Sequence, residues 1–184
     1  MKLSILICTI YSRWASFEAL ARFIYEQIPD KSIAEICFMR DHGGPRTMSI
    51  GRKRQLLLEN STGDYVCFVD DDDLVASSYV KLILEAIKPK PCCVGFQGLL
   101  VRQGYPDTMF VHSLQCGRWY EENEVYFRTP NHLNPVKREL ALKVGFIDAS
   151  HGEDKRYSDR LYPLLKNEVM INHPLYFYFP GASR

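Results

Sequence analysis

Tyr65-Val66-Cys67-Phe68-Val69-Asp70-Asp71-Asp72-Asp73 is the stretch from which the rest of the chain is read. A short apolar run rich in β-branched and aromatic residues makes a buried strand, and it ends on four adjacent carboxylates. Carboxylates crowded this tightly repel one another, and in isolation some would stay protonated. A divalent cation removes the conflict, because hard ions such as Mg²⁺ and Mn²⁺ prefer carboxylate oxygens and bridge to phosphate. Capping of the following helix is the simpler use of an aspartate, but a cap needs one side chain and the helix dipole favours at most a second. Four exceed that need.

Upstream, residues 3–9 read as a strand. Trp14, Phe17, Ala21, Ile24 and Ile28 then recur on one helix face, which stops at Pro29. Residues 34–39 form a second strand ending in Arg40-Asp41-His42-Gly43-Gly44-Pro45, and Ser49 is placed to cap a helix carrying Ile50, Leu56, Leu57 and Leu58. After the aspartates, Val80, Ile83, Leu84 and Ile87 face inward on a helix stopped by Pro89. Strands separated by helices of this length predict βαβ units and a mostly parallel central sheet flanked by helices, an α/β fold. Ligands of such sheets bind beyond the carboxyl ends of the strands. Thr9 to Arg13, Asp41 and Asp70 to Asp73 all lie at such ends, so one crevice collects all three.

The second half is less regular. Residues 92–101 read as a strand, and 109–115 with 119–127 suggest a hairpin turning near Gly117. Asn134-Pro135 has the form of a helix opening and Val144-Gly145 that of its close. A helix over about 153–166, bent at Pro163, precedes a last apolar segment, Val169 to Ile171 and Leu175 to Phe179.

At 184 residues the chain suits a single domain over 1–184, with a donor half to about residue 73 and an acceptor half beyond it. The formal charge of +1 gives no field for nucleic acid. The opening apolar run, Leu3 to Cys8, is too short for a signal-peptide core or a membrane span. Cys8, Cys37, Cys67, Cys92, Cys93 and Cys116 contain no CxxC pair, which argues for buried, reduced thiols and a cytoplasmic location. His112 and Cys116 could share a metal, but core or loop placement is the simpler account.

Four segments, in order, resemble the family-2 type of GT-A glycosyltransferases. Phe68-Val69-Asp70-Asp71-Asp72-Asp73-Leu74 resembles the DXD segment. Leu3 to Arg13 resembles the opening strand and nucleotide-binding turn, with Cys8 where the family usually has Pro and Ile10 inserted between Thr9 and Tyr11. Gly51-Arg52-Lys53-Arg54 resembles the basic helix start before the DXD strand, and Gly152-Glu153-Asp154 the Glu-Asp catalytic segment.

The resemblance implies a single GT-A (Rossmann-like) domain and a metal-dependent, inverting transfer from a nucleotide-diphosphate sugar, most simply UDP-linked, to a glycan or other hydroxyl acceptor, with Mn²⁺ or Mg²⁺. It implies Asp72 as direct metal ligand and Asp70 as ribose contact or bridge to metal. Asp71 falls on the nucleotide side and Asp73 at the cap of the next helix, with the register free to slip by one. Thr9, Tyr11, Arg13 and Asp41 would lie along base, ribose and phosphates. Arg52, Lys53 and Arg54 either reach phosphate or form a solvated helix face. Asp154 would be the general base and Glu153 its neighbour, binding acceptor or orienting the base. His173 stands where some GT-A enzymes place a third metal ligand, and is otherwise a loop histidine. His132 and His151 flank the acceptor side. Trp119 and Tyr120 either make a sugar platform or pack the hairpin. Two other readings are a nucleotidyltransferase, which would need a Gly-rich loop where Thr9 to Arg13 stand, and a non-catalytic sugar-nucleotide or carbohydrate-binding module.

Overall fold

The structure, a computed structural model, describes residues 1–43 and 48–180; the expected turn residues Gly44 and Pro45 lie outside the described residues. Strand β1 (Leu3–Ile10) is buried on both faces, which is why it reads as one apolar run. A 3-10 turn (Tyr11–Arg13) leads into α1 (Trp14–Glu26), then β2 (Ala34–Asp41), α2 (Ile50–Asn60) and β3 (Tyr65–Phe68). β2 and β3 lie on either side of β1, both parallel to it. Ser49 caps α2 as expected, its hydroxyl accepting from the Arg52 amide at 3.0 Å. Beyond the aspartates follow β4 (Leu74–Val75), α3 (Tyr79–Ala86), β5 (Cys93–Leu100), β6 (Thr108–His112), β7 (Tyr120–Glu122), β8 (Val125–Arg128) and β9 (Val136–Lys137). The described chain closes with α4 (Arg138–Val144), α5 (Glu153–Leu161), a 3-10 turn containing Pro163, and β10 (Glu168–Tyr178). The sheet runs β2-β1-β3-β9-β5-β6-β8-β7, and β10 pairs parallel with β5 and antiparallel with β4. Its longest pairings, β1 with β2 and β5 with β10, are parallel.

Alternation along β1 sorts the helices into two layers. Leu3, Ile5 and Ile7 meet Phe17, Leu20 and Ile24 of α1 and Tyr79, Val80 and Ile83 of α3 on one face. Leu6 and Cys8 point the other way, toward Leu57 and Leu58 of α2, Ala141 and Val144 of α4, and Tyr157 and Leu161 of α5. The product is a sheet covered on both sides, and its carboxyl edge is the open rim.

Three expectations for the second half are corrected. The hairpin turns at Asn123-Glu124, not Gly117: both residues have positive φ (50° and 61°), as a two-residue turn between twisted strands requires. β6 and β8 are parallel neighbours rather than hairpin partners. Asn134 does not open a helix. Its Oδ1 accepts from the Asn131 amide and its Nδ2 donates to the Val94 carbonyl, so it locks β9 into the sheet and α4 starts at Arg138. All six cysteines are free thiols. Among the described residues, no helix is long and apolar enough to cross a membrane.

Candidate active site

The aspartate turn is built on a clamp from the far end of the chain. The Asp70 amide donates to the Tyr176 hydroxyl (3.1 Å), which donates to Asp73 Oδ2 (2.7 Å), while the Phe179 amide donates to Asp73 Oδ1 (2.9 Å). Burial and the neighbouring Asp70 charge raise the Asp73 carboxyl to about 7, with the two donors opposing them. Asp73 therefore anchors the turn to β10 and does not cap α3, whose N-cap residue is Ser78.

Asp70 faces the crevice. Its Oδ1 lies 2.9 Å from Arg54 Nη2, and its Oδ2 lies 3.5 Å from His132 Nε2, close enough for charge interaction but outside hydrogen-bond geometry. Burial alone would raise this carboxyl; the Arg54 guanidinium and His132 instead hold it well below the usual carboxylate range. Arg54 is buried on α2 and its other arm, Nη1, meets Glu153 Oε1 at 2.6 Å. One guanidinium thus joins the end of β3 to the start of α5. Both arms of Arg54 are engaged by carboxylates.

Arg13, in the turn after β1, forks across two carboxylates: Nη2 to Asp71 Oδ1 and Nη1 to Asp72 Oδ2, both at 3.0 Å. Burial raises the Asp71 carboxyl, with Thr9 and Arg13 opposing. Lys53 Nζ reaches Asp41 Oδ1 at 3.1 Å. Asp71 Oδ2 and Asp41 Oδ2 are buried and, among the described residues, have no partner. Tyr11 is exposed; it stacks on His42 at 4.5 Å, with the Arg40 guanidinium 4.1 Å from its ring centre. Arg52 is exposed, whereas Lys53 and Arg54 of the same triplet are buried and pair with Asp41, Asp70 and Glu153. His173 is exposed at a register irregularity of β10, and no hydrogen bond or ion pair joins it to the aspartates among the described residues. The Arg128 guanidinium lies 4.6 Å from the centre of the Trp119 ring, and Tyr120, an exposed ring, stacks on Phe127 at 4.8 Å. His112 is buried against Asn134 rather than paired with Cys116.

Beyond Asp70 opens a cavity of about 520 Å³, lined among others by Asp73, His132, His151, Glu153, Asp154 and Tyr178. Glu153 is buried against Arg54; Asp154 is half-buried, lines the cavity, and its Oδ1 accepts from the Lys155 amide (2.7 Å). The loop that carries them is held by Gly51, whose amide donates to the Ala149 carbonyl at 3.0 Å. A Cβ at this position would stand 1.9 Å from the Ile147 carbonyl oxygen. Gly51→Ala is expected to destabilise the protein by about 1–3 kcal/mol through overpacking and to shift the 147–154 loop. Urea denaturation reads the first effect and hydrogen exchange across residues 147–154 the second.

The acidic turn fits a hard divalent cation by its chemistry: Asp70 and Asp72 offer carboxylate oxygens beside the orphaned Asp71 Oδ2. Among the described residues, however, no group of three His, Cys, Asp or Glu side chains converges on a metal position. The chain would furnish two carboxylates, and the rest of a coordination shell would come from a ligand.

A mostly parallel central sheet whose carboxyl edge carries the acidic turn, extended by β5, β6 and β10 on the side of the cavity, has the GT-A fold. The chain is similar over 97% of its length to Staphylococcus aureus TarS residues 1–349 in complex with UDP-GlcNAc, with a TM-score of 0.69, 15% identity and 58% of that chain covered. A second TarS structure gives 0.68, 14% identity and 37% coverage of that chain. The mannosyltransferase PcManGT from Pyrobaculum calidifontis, in complex with GDP-Man and Mn²⁺, gives 0.62 and 13% identity, with 96% of this chain and 56% of that one covered. The chain therefore spans between about a third and three-fifths of these structures' lengths. No protein-family model matches it.

Proposed function

We propose that this protein is a glycosyltransferase that moves a sugar from a nucleotide-diphosphate donor, UDP-linked, to an acceptor hydroxyl with inversion at the anomeric carbon. The observation that carries the reading is the Arg54 bridge between Asp70 and Glu153, which sets Asp70, at the head of the acidic turn, and Asp154 against one cavity. Bond cleavage leaves a charged diphosphate on one side of the sugar, and the acceptor must lose a proton on the other. Asp154, which lines the cavity, takes that proton; Glu153, committed to Arg54, orients it. The unpartnered Asp41 Oδ2 is suited to accept from a base N–H or a ribose hydroxyl, and Thr9 and Arg13 line the same edge. Asp72 and Asp70 would hold Mn²⁺ or Mg²⁺, which supplies Lewis-acid stabilisation of the leaving diphosphate. The nucleotide sugars bound by TarS and PcManGT, and the Mn²⁺ of the latter, support this reading.

Calorimetric titration with UDP tests it. Affinity should fall by at least about tenfold, or about 1.4 kcal/mol, when Mn²⁺ is chelated, and by a similar factor in Asp72→Ala with Mn²⁺ present. Unchanged affinity in both would remove the metal from the reading, and no UDP binding under any condition would remove the donor.

A further inference from the structure

Of the three arginines that line the cavity beside Asp154, only Arg54 is spent on its carboxylates among the described residues. Arg54 is consumed by Asp70 and Glu153. Two further guanidiniums line the same space, Arg102 just after β5 and Arg128 at the end of β8, and neither forms an ion pair among the described residues.

Arg128 is also positioned. Its guanidinium lies over the Trp119 ring, 4.6 Å from the centre. That ring is fixed in turn by its Nε1–H, which donates to Thr129 Oγ1 at 3.0 Å, and the Thr129 hydroxyl is bonded to Ser158 Oγ at 2.9 Å. An arginine packed by its face keeps its N–H edge available for a planar or tetrahedral oxyanion. The neighbouring His112 adds no charge of its own: burial first, and the Arg128 charge second, push it down to about 3. Phe110 and Tyr126, register partners on β6 and β8, give the same cavity an apolar floor.

We propose that the acceptor of this transferase carries an oxyanion, a phosphate or carboxylate, held by Arg128 with Arg102 adding charge at the rim. The inference rests on the transferase reading and names its acceptor class. The donor diphosphate is the other possible source of an oxyanion, but position favours the acceptor. Arg13 and Lys53 stand at Asp71, Asp72 and Asp41 on the first half of the sheet, whereas Arg102 and Arg128 belong to second-half strands around Asp154. A hydroxyl substrate approaching Asp154 enters a space already lined by Asp70, Glu153 and Asp154. An anionic group on it is tolerated only beside cations that these carboxylates have left unpaired.

The test uses the whole chain, saturated with UDP and Mn²⁺, titrated with glucose 6-phosphate, glucuronate and glucose. At least one anionic sugar should bind about tenfold or more tighter than glucose, the scale of a charge-assisted hydrogen bond. Arg128→Gln and Arg102→Gln should each erase most of that preference while UDP affinity stays within about twofold. Trp119→Leu, which keeps the charge and removes the platform, should weaken the anion several-fold. Equal binding of all three sugars overturns the proposal, as does an anion preference that survives both arginine variants. Displacement of the anionic sugar by UDP, with UDP affinity lost in Arg128→Gln, also overturns it and gives these arginines to the donor. Failure of the wild type to bind UDP at all is a failure of the transferase reading, and titration without UDP then still reads the anion preference.

Discussion

Asp154→Asn should lower turnover of a UDP-sugar by about 10²–10⁴-fold, the usual loss when a general base is removed, while UDP affinity stays within about twofold. The separation follows from where the residue stands. Asp154 lies in the first turn of α5 and lines the cavity; it makes no ion pair, among the described residues, with the aspartate turn or with Arg13. The amide of asparagine keeps the size and can still accept from the Lys155 amide, but it cannot take a proton. Initial rates with metal and donor, with water or an added hydroxyl compound as acceptor, give the first number and calorimetry the second. Loss of UDP binding in the variant would make Asp154 structural, and an unchanged rate would move the base elsewhere.

The second large effect concerns stability. Arg54→Met is expected to destabilise the nucleotide-free protein by about 3–5 kcal/mol, because removing one partner strands buried charge. The Arg54 and Glu153 side chains are 5% and 7% exposed, and Asp70 is 28% exposed. The pH dependence carries the sign. With Arg54 present the Asp70 carboxyl is depressed, so its contribution is full above the ordinary carboxylate range and is lost as pH falls through and below it. Without Arg54 the buried carboxyls gain by protonation. The gap between wild type and variant should therefore narrow as the pH is lowered from 7 toward about 3, the lower end of the carboxylate range. Urea denaturation at several pH values measures this, and a gap that ignores pH would show that lost packing rather than charge is responsible.

The first half of the fold was legible because each element there is long enough to carry its own period. β1, β2 and β3 appear within two residues of the ends expected from the sequence, and α1 shows the expected Trp14, Phe17 and Ile24 face. In the second half, strands of two to four residues carry no period to read. The Asn123-Glu124 turn is disguised by a glutamate at positive φ, and the Asn134-Pro135 pair imitates a helix start while serving the sheet.

At the site, residue types were visible and partners were not. The Asp70–Asp73 run, Lys53, Arg54 and Glu153 stand out in the sequence, yet only folding shows that Arg54 is spent on two carboxylates 16 and 99 residues away. Tyr176 left one signal: a phenol inside an apolar strand needs a partner for its hydroxyl. Gly51 opens the basic segment quoted from the sequence, but the space it leaves for the Ile147 carbonyl is visible only in the fold.

The Tyr176–Asp73 contact spans 103 residues and the Phe179–Asp73 contact 106. During synthesis the first three strands and their helices are made well before the segment that pins the acidic turn. Contacts this distant in sequence close late, after the loop-entropy cost has been met by other pairings. A nascent chain that ends before Tyr176 therefore carries an unclamped row of carboxylates. The clamp on the acidic turn should appear abruptly, when residue 179 clears the ribosome, and not grow with chain length.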